Sequence, residues 1–354
     1  MRVAHEEKKI PVKEAKEIVK DLMKPNVFIY WVDFLFHIIL AWCSFYFCYR
    51  ANFLSPVQLS LFFVSMFSFY RAAIFIHEIT HLRKDTFYLF RAVWNLLCGF
   101  PLMIPSFLYQ GVHNDHHSIK LYGTKDDGEY FPFVHEERSK ILLFPLVSFF
   151  VPVFFFLRFV FLTPLSYCSS SIRSLVLKKL SSFSIDLNYQ RTRSSLDTVA
   201  MWQAQEIATC LYGWAFILLI LKGVVPYNIL VLWFITFGVV FFINSLRTLT
   251  AHCYRYSGDK VLDVSEQLFD SVNIPNSFLG FLWAPVGLRF HATHHLIPEM
   301  PYHSLGKTHR RLRESFSKKD LYIKTSSSGF LLTLARLWRE SGNLVFFILF
   351  VGQF

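Results

Sequence analysis

Residues 56–81 read PVQLSLFFVSMFSFYRAAIFIHEITH. From Pro56 to Ile76 the stretch is an almost unbroken apolar run of the length that crosses a hydrocarbon core as a helix, about 20 residues. It leads directly into His77-Glu-Ile-Thr-His81. Helical residues four apart project from one face, so the segment predicts a spanning helix carrying two imidazoles at its emerging end. The chemistry of the chain is therefore expected at one surface of a membrane.

Working outward, an apolar run at 26–49 precedes this one, joined to it by a short turn around Asn52 and Pro56. Two more, 206–222 and 227–246, turn at Gly223 and Pro226. These read as two helical hairpins. Of the 354 residues, 53% are hydrophobic and only 17% charged. A soluble domain carries about 25% charge, so an ordinary water-soluble globule is excluded. The runs 88–108 and 141–167 are also long enough to cross, but Pro101 and Pro105 interrupt the first, and Pro145, Pro152 and Pro164 the second. If His77 and His252, which end the two hairpins, share one side, the chain between them crosses an even number of times. The simplest even number is zero, which makes both runs interfacial. The predicted fold is all-α integral membrane: four transmembrane helices in two hairpins, interfacial helices, and a histidine-rich cap on the cytoplasmic face.

The formal charge of +11 gathers at the two ends and in the loop 168–205. That loop holds Arg173, Lys178, Lys179, Arg191 and Arg193 against Asp186 and Asp197, which fits a cytoplasmic surface beside anionic lipid. Its serine-rich composition predicts a mobile connection. No base-reading motif accompanies the charge, so nucleic acid is not an expected partner. Residues 1–24 alternate Lys and Glu around Ile10, Ala15, Ile18, Val19 and Leu22, and read as a basic amphipathic segment lying on the membrane or solvated, ahead of a membrane domain at 25–354. Because charge precedes the first apolar run, no signal peptide is read. The tail 344–354 is short for a span and reads as an interfacial anchor. Six scattered cysteines with no C-x-x-C pair argue against a disulfide framework or a zinc ribbon.

Nine of the fourteen histidines fall in four places: His77 and His81; His113-Asn-Asp-His116-His117; His252; and His291-Ala-Thr-His294-His295. In helices, the i, i+3, i+4 spacing brings all the rings of a cluster onto one face. Neutral imidazole is a ligand for iron, copper, zinc or nickel. Nine imidazoles exceed the capacity of one ion, whereas two neighbouring ions would take four or five each and keep positions open for oxygen. The pattern thus predicts a dinuclear catalytic centre. His5, His37, His135, His303 and His309 fit no cluster. His77-Glu-Ile-Thr-His81 also matches the zinc metalloprotease motif, with Glu78 as general base, but that reading leaves both H-x-x-H-H groups idle.

The three histidine clusters resemble the histidine boxes of the membrane fatty acid desaturase superfamily, over about residues 74–312. The likeness includes Asn244-Ser-Leu-Arg-Thr-Leu-Thr-Ala-His252, Glu266-Gln-Leu-Phe-Asp-Ser-Val-Asn273, and Pro285-Val-Gly-Leu-Arg-Phe-His291 through Leu312. It is similar to bacterial-type desaturases of acyl lipids. The resemblance implies a non-haem centre of two iron ions that uses dioxygen, and an acyl chain in an apolar tunnel. The implied ligands are His77, His81, His113, His116, His117, His252, His291, His294 and His295. Relatives often carry a basic residue after the position of His252, where this chain has Cys253. Asp115, Asp270, Glu266, Asn244 and Asn273 are candidates to orient the imidazoles. With no haem or iron–sulfur cysteine pattern, electrons are expected from another protein, ferredoxin-like or cytochrome-b5-like with its reductase. Arg310, Arg311 and Arg313 offer it a basic face, which suits lipid contact equally. The implied activity is desaturation of a fatty acyl chain, in a bacterial inner membrane or its equivalent. The nearest alternative is hydroxylation of a carotenoid, alkane or sphingoid chain at the same centre. A metal transporter is the reading from another class, but it needs polar residues along the spans, where only Asp33, His37 and Arg71 stand out.

Overall fold

The computed structural model describes residues 12–83, 85–191, 196–316 and 321–342. Their regular structure is helical apart from three isolated β-bridges. The chain forms two compact units, one of residues 27–115 and 143–245, the other of 1–26, 116–142 and 246–354.

The first unit contains the long apolar helices. Helices α1 (Val27–Arg50) and α2 (Pro56–His81) form the first hairpin. Ser55 caps α2 by accepting from the Gln58 amide at 3.1 Å, and Pro56 occupies a first-turn position where a missing N–H costs nothing. The Gln58 side chain closes the turn by donating to the Cys48 carbonyl and accepting from the Leu54 amide. Phe34, Phe75 and Phe90 pack edge to face, with ring centres 5.5–6.0 Å apart. The polar residues of the hairpin satisfy one another. Arg71 donates twice to Asp33, at 2.7 and 2.5 Å, and His37 lies 2.9 Å from the same carboxylate. Paired charges of this kind are tolerated in a membrane interior where a lone one is expensive, which accounts for His37 without a ligand role. Helix α2 continues unbroken through His77 to His81, as the quoted stretch predicts.

The second hairpin comprises α5 (Leu196–Leu221) and α6 (Tyr227–Thr248); α5 starts at Leu196 rather than at 206. The run 88–108 is helical over Tyr88–Trp94 and a π turn, Asn95–Gly99, and then breaks. Asn95 fastens the break, donating to Ser106 Oγ and accepting from the Ser106 amide, both at 2.9 Å.

In the run 141–167, Val151 to Cys168 form one helix, α4, long and apolar enough to cross a bilayer, so the described residues hold five helices of that length and composition. Pro152 and Pro164 do not break it, because each occupies the first turn of a helical segment on either side of a π turn at Arg158–Leu162. That turn carries Arg158, which is 1% exposed and donates to Glu206 at 2.6 Å, Thr163 at 2.8 Å, Ser181 Oγ at 3.1 Å and the Leu180 carbonyl at 3.0 Å.

The connection 168–205 is likewise more ordered than its composition predicts. It contains a helix, Ser170–Lys179, and two of its five cations face inward. Arg173 pairs with Glu206 at 2.6 Å, and Arg191 is buried between the Phe107 and Ser181 carbonyls, its guanidinium 3.7 Å from the Trp202 ring centre. A Cβ on Gly111 would overlap Arg191, so the glycine is what lets that cation in. Arg193 and the Asp197 side chain lie outside the described residues.

The second unit is built from α7 (Val264–Asp270), α8 (His291–Leu296), α9 (Tyr302–Ser315) and α10 (Phe330–Glu340). The described part of the N-terminal segment is a short helix, Val12–Ile18, and a 3-10 turn, Lys20–Leu22. It is docked on the protein: Ala15 and Val19 are buried, Lys16 pairs with Glu299 at 2.5 Å, and Arg311 pairs with Asp21. Arg311 is thereby engaged within the chain. His5 and the tail 344–354 lie outside the described residues.

Candidate metal centre

In the first unit, one turn of helix separates His77 from His81, and α3 (Phe107–His116) brings His113 to them. The His77 and His113 ring centres are 4.5 Å apart, and His81 Nε2 lies 2.9 Å from His113 Nε2. Tyr109, one turn before His113, stacks on it with ring centres 4.6 Å apart. Glu78, the base of the protease reading, accepts from the Tyr30 hydroxyl at 2.5 Å and has its other oxygen 3.6 Å from His77 Nδ1.

In the second unit, His116, His252, His291 and His295 converge. Their Nε2 atoms form a chain of contacts: His116 to His252 at 3.2 Å, His252 to His291 at 2.8 Å, and His291 to His295 at 3.1 Å. One donor atom from each lies within 4.8 Å of all the others. His117 and His294 pair beside them, Nε2 to Nε2 at 3.0 Å.

The outward nitrogens explain why the inward ones are lone pairs. Asp127, 1% exposed, accepts from the Gly123 and Glu129 amides and lies 2.9 Å from His116 Nδ1. The Tyr122 hydroxyl donates to Asp270 at 3.0 Å and so meets His252 Nδ1, 2.8 Å away, as an acceptor. With Nδ1 carrying the proton in both rings, both Nε2 atoms present lone pairs. Burial, then Asp270, pushes the Tyr122 phenol well up, so it keeps its proton. Burial, then the neighbouring imidazoles, pushes the pKa of His295 well down; burial, then His116 and Arg247, does the same to His252, and both rings are neutral at pH 7. Burial opposes the His116 cation, but Asp127 together with Glu129 and Asp270 moves that pKa up; the same carboxylate charge favours a metal cation in place of the proton. Lone pairs facing one another at about 3 Å repel unless a cation lies among them. The donor set therefore fits a metal ion bound by four imidazoles.

The third histidine box is delivered by a tight turn and then locked. Gly287 has φ +73°, and a Cβ there would lie 2.7 Å from Leu305 Cδ1, so the Pro285-Val-Gly turn requires glycine. Asn273 then anchors α8: its Oδ1 accepts from the Thr293 amide at 3.0 Å and the Thr293 hydroxyl at 3.2 Å, while its Nδ2 donates to Thr325. Asn273→Ala leaves a buried amide without its acceptor, a loss of about 1–3 kcal/mol. Denaturant unfolding should show that loss, together with lower metal content, since Thr293 is flanked by the box it positions.

Of the residues proposed to orient imidazoles, Asp270 accepts from Tyr122 beside His252, and Asn273 accepts from Thr293 beside His294. Glu266 is engaged elsewhere. It completes a capping box with Asp263 at the start of α7 and pairs with Lys260 at 2.6 Å, because the acidic residue of an Asp-x-x-Glu stretch is drawn to the helix N-terminus. Asp115 accepts from the Tyr189 hydroxyl at 3.0 Å, and Asn244 from the Tyr70 hydroxyl at 3.3 Å. Asp127 and Tyr122 escaped the sequence reading. In Gly-Thr-Lys-Asp-Asp an aspartate reads as turn chemistry, and the only signal was its nearness to the second box. Cys253 packs with Val272 and Ile274, and its thiol is pushed up to about 11 by burial and then Asp270. A basic side chain has no solvated place there.

Comparison with known proteins gives two matches. The family model for fatty acid desaturase matches residues 51–327. A ceramide hydroxylase of Caulobacter vibrioides (strain NA1000 / CB15N) is 38% identical over 329 residues, covering 93% of each chain. No solved structure matches. A family match over most of the chain, together with imidazoles arranged to hold metal, identifies it: the chain belongs to the fatty acid desaturase family.

Proposed function

We propose that the chain is an oxygen-dependent hydroxylase of a long-chain lipid of the ceramide type, working at two iron ions held by nine imidazoles. Within the second unit, His116, His252, His291 and His295 would hold one ion. The observation that carries this reading is the set of four converging Nε2 atoms, two of which, on His116 and His252, have their outward nitrogens held by Asp127 and Tyr122. Iron with dioxygen and external electrons supplies an oxidant strong enough for an unactivated C–H bond. The protein's own residues fix the ligand tautomers and exclude water, as the burial of His113, His116, His252 and His294 to 1–2% exposure permits. Regioselectivity then depends on where the chain is held relative to the metal. Hydroxylation is favoured over desaturation by the name of the 38% identical relative; desaturation is the second reading, favoured by the family description.

Parity supports four crossings. His116 and His252 face each other at 3.2 Å within one unit, so the chain between them crosses the bilayer an even number of times. Three candidate spans, α4, α5 and α6, lie in that interval. With α5 and α6 paired as a hairpin, α4 lies within or dips into the interface. The basic termini favour a cytoplasmic centre, supplied with electrons by a ferredoxin-like or cytochrome-b5-like donor.

Expression in a host that makes ceramides, followed by lipid mass spectrometry, tests the reading. Hydroxylation predicts a gain of about 16 mass units and desaturation a loss of about two. A His294→Ala control should show neither. A two-unit loss would replace the first reading with the second, and unchanged lipids in every such host would remove both.

A further inference from the structure

Away from the histidine centre, the second unit carries an open cavity of about 650 Å³. Arg289, Lys307, Arg310 and Arg313 line it, with Glu314 as the one lining carboxylate. Among the described residues none of these four cations forms an ion pair. A row of lysines and arginines on a helix is by itself a solvated face. Two details of this cavity go further.

The first is Arg289, which is half-buried before the α8 turn with its guanidinium over the Phe290 ring. A cation desolvated without a counter-charge is costly, and here the open side is the cavity. The second is His309, which lines the same cavity and is 3% exposed. Its Nδ1 is taken up by the Tyr322 hydroxyl at 2.9 Å, and its Nε2, fully buried, has no hydrogen-bond partner among the described residues. Burial, then Arg313, holds the ring to about 4, so it is neutral. With Nδ1 engaged by Tyr322, the buried Nε2 is a polar atom in want of a partner.

We propose that this cavity is a binding site for a phosphate mono- or diester group, with Arg289, Arg310 and Arg313 supplying charge and His309 Nε2 a buried hydrogen bond. Guanidinium forks match phosphate oxygens in pairs. The volume is that of a small-ligand pocket, and a concave site suits a single anionic group better than it suits the acidic surface of a protein. The phosphate belongs either to the headgroup of an anionic lipid or to a soluble phosphate ester. The inference does not depend on the proposed reaction, because the test measures binding without turnover.

The test uses the full chain in neutral detergent, titrated calorimetrically with inorganic phosphate and with short-chain phosphatidic acid. Binding is expected for at least one probe, weakened at least about 10-fold in Arg289→Gln/Arg310→Gln. Lys307→Gln, on an exposed helix position where folding is not at stake, should weaken it by a smaller factor, and Arg83→Gln, outside the cavity, should leave it unchanged. Equal affinity for both probes assigns the site to soluble phosphate esters; a preference for phosphatidic acid of about 10-fold or more assigns it to a headgroup. Failure of both probes to bind, undiminished binding in Arg289→Gln/Arg310→Gln, or binding only of an acidic protein overturns the proposal.

Discussion

His252→Ala is expected to reduce product formation more than about 100-fold and to lower the iron content of the purified protein, with the helices intact. His252 is the hub of its group, since its Nε2 is the atom nearest to both His116 Nε2 and His291 Nε2. Removing the ring leaves those two without their common neighbour. The graded comparison is Tyr122→Phe, which keeps the ligand but deletes the hydroxyl that sets its tautomer. Losses of about 10–100-fold in metal affinity or activity are usual for such a group, so Tyr122→Phe should fall between wild type and His252→Ala. Metal analysis and lipid mass spectrometry on the three proteins provide the check. A His252→Ala protein with wild-type iron and turnover would remove the ring from the ligand set. A Tyr122→Phe protein as inactive as His252→Ala would mean that the hydroxyl touches the reacting atoms and does not merely steer the imidazole.

What the sequence makes legible here are features with strict spacing. Four-residue and three-residue intervals between histidines translate directly into a helical face, so α2 carries His77 and His81 as read, and α8 carries the third box. Long apolar runs translate into helices, and both hairpins follow. Harder to read are residues whose role depends on a partner far along the chain. Asp127 is a turn aspartate by its neighbours and a histidine partner only by the fold. Glu266 stands in one of the runs that carry the family likeness, yet local capping claims it. Arg173 and Arg191 count toward a basic loop in any composition argument, whereas Glu206 and Trp202 draw them inside. Proline is a break only when it falls past the first turn: Pro101 and Pro105 end a helix, while Pro152 and Pro164 begin helical turns within α4.

Charges buried in this way have a measurable consequence, and the largest is expected at Glu206. Its carboxylate accepts from Arg158 Nη2 and Arg173 Nη1, both at 2.6 Å, and from the Tyr167 hydroxyl at 3.2 Å. Glu206→Gln leaves the Arg158 guanidinium, 1% exposed, with no negative charge to offset its desolvation. Breaking a buried pair from one side costs roughly 3–5 kcal/mol. The exposed pair Arg83–Asp85, with side chains 81% and 62% accessible, supplies the contrast: Asp85→Asn should cost no more than about 1 kcal/mol. Equilibrium unfolding in mixed micelles of a neutral detergent and dodecyl sulfate measures both. The double replacement Arg158→Leu/Glu206→Leu should recover most of the loss, because it removes the buried charge together with its partner, and Arg173, nearer the surface at 16% side-chain exposure, is able to rehydrate. If Glu206→Gln unfolded no earlier than Asp85→Asn, Arg158 would have to find its compensation in Thr163, Ser181 and the Leu180 carbonyl alone. The π turn that aims it at them, rather than the ion pair, would then be what holds α4 to its neighbours.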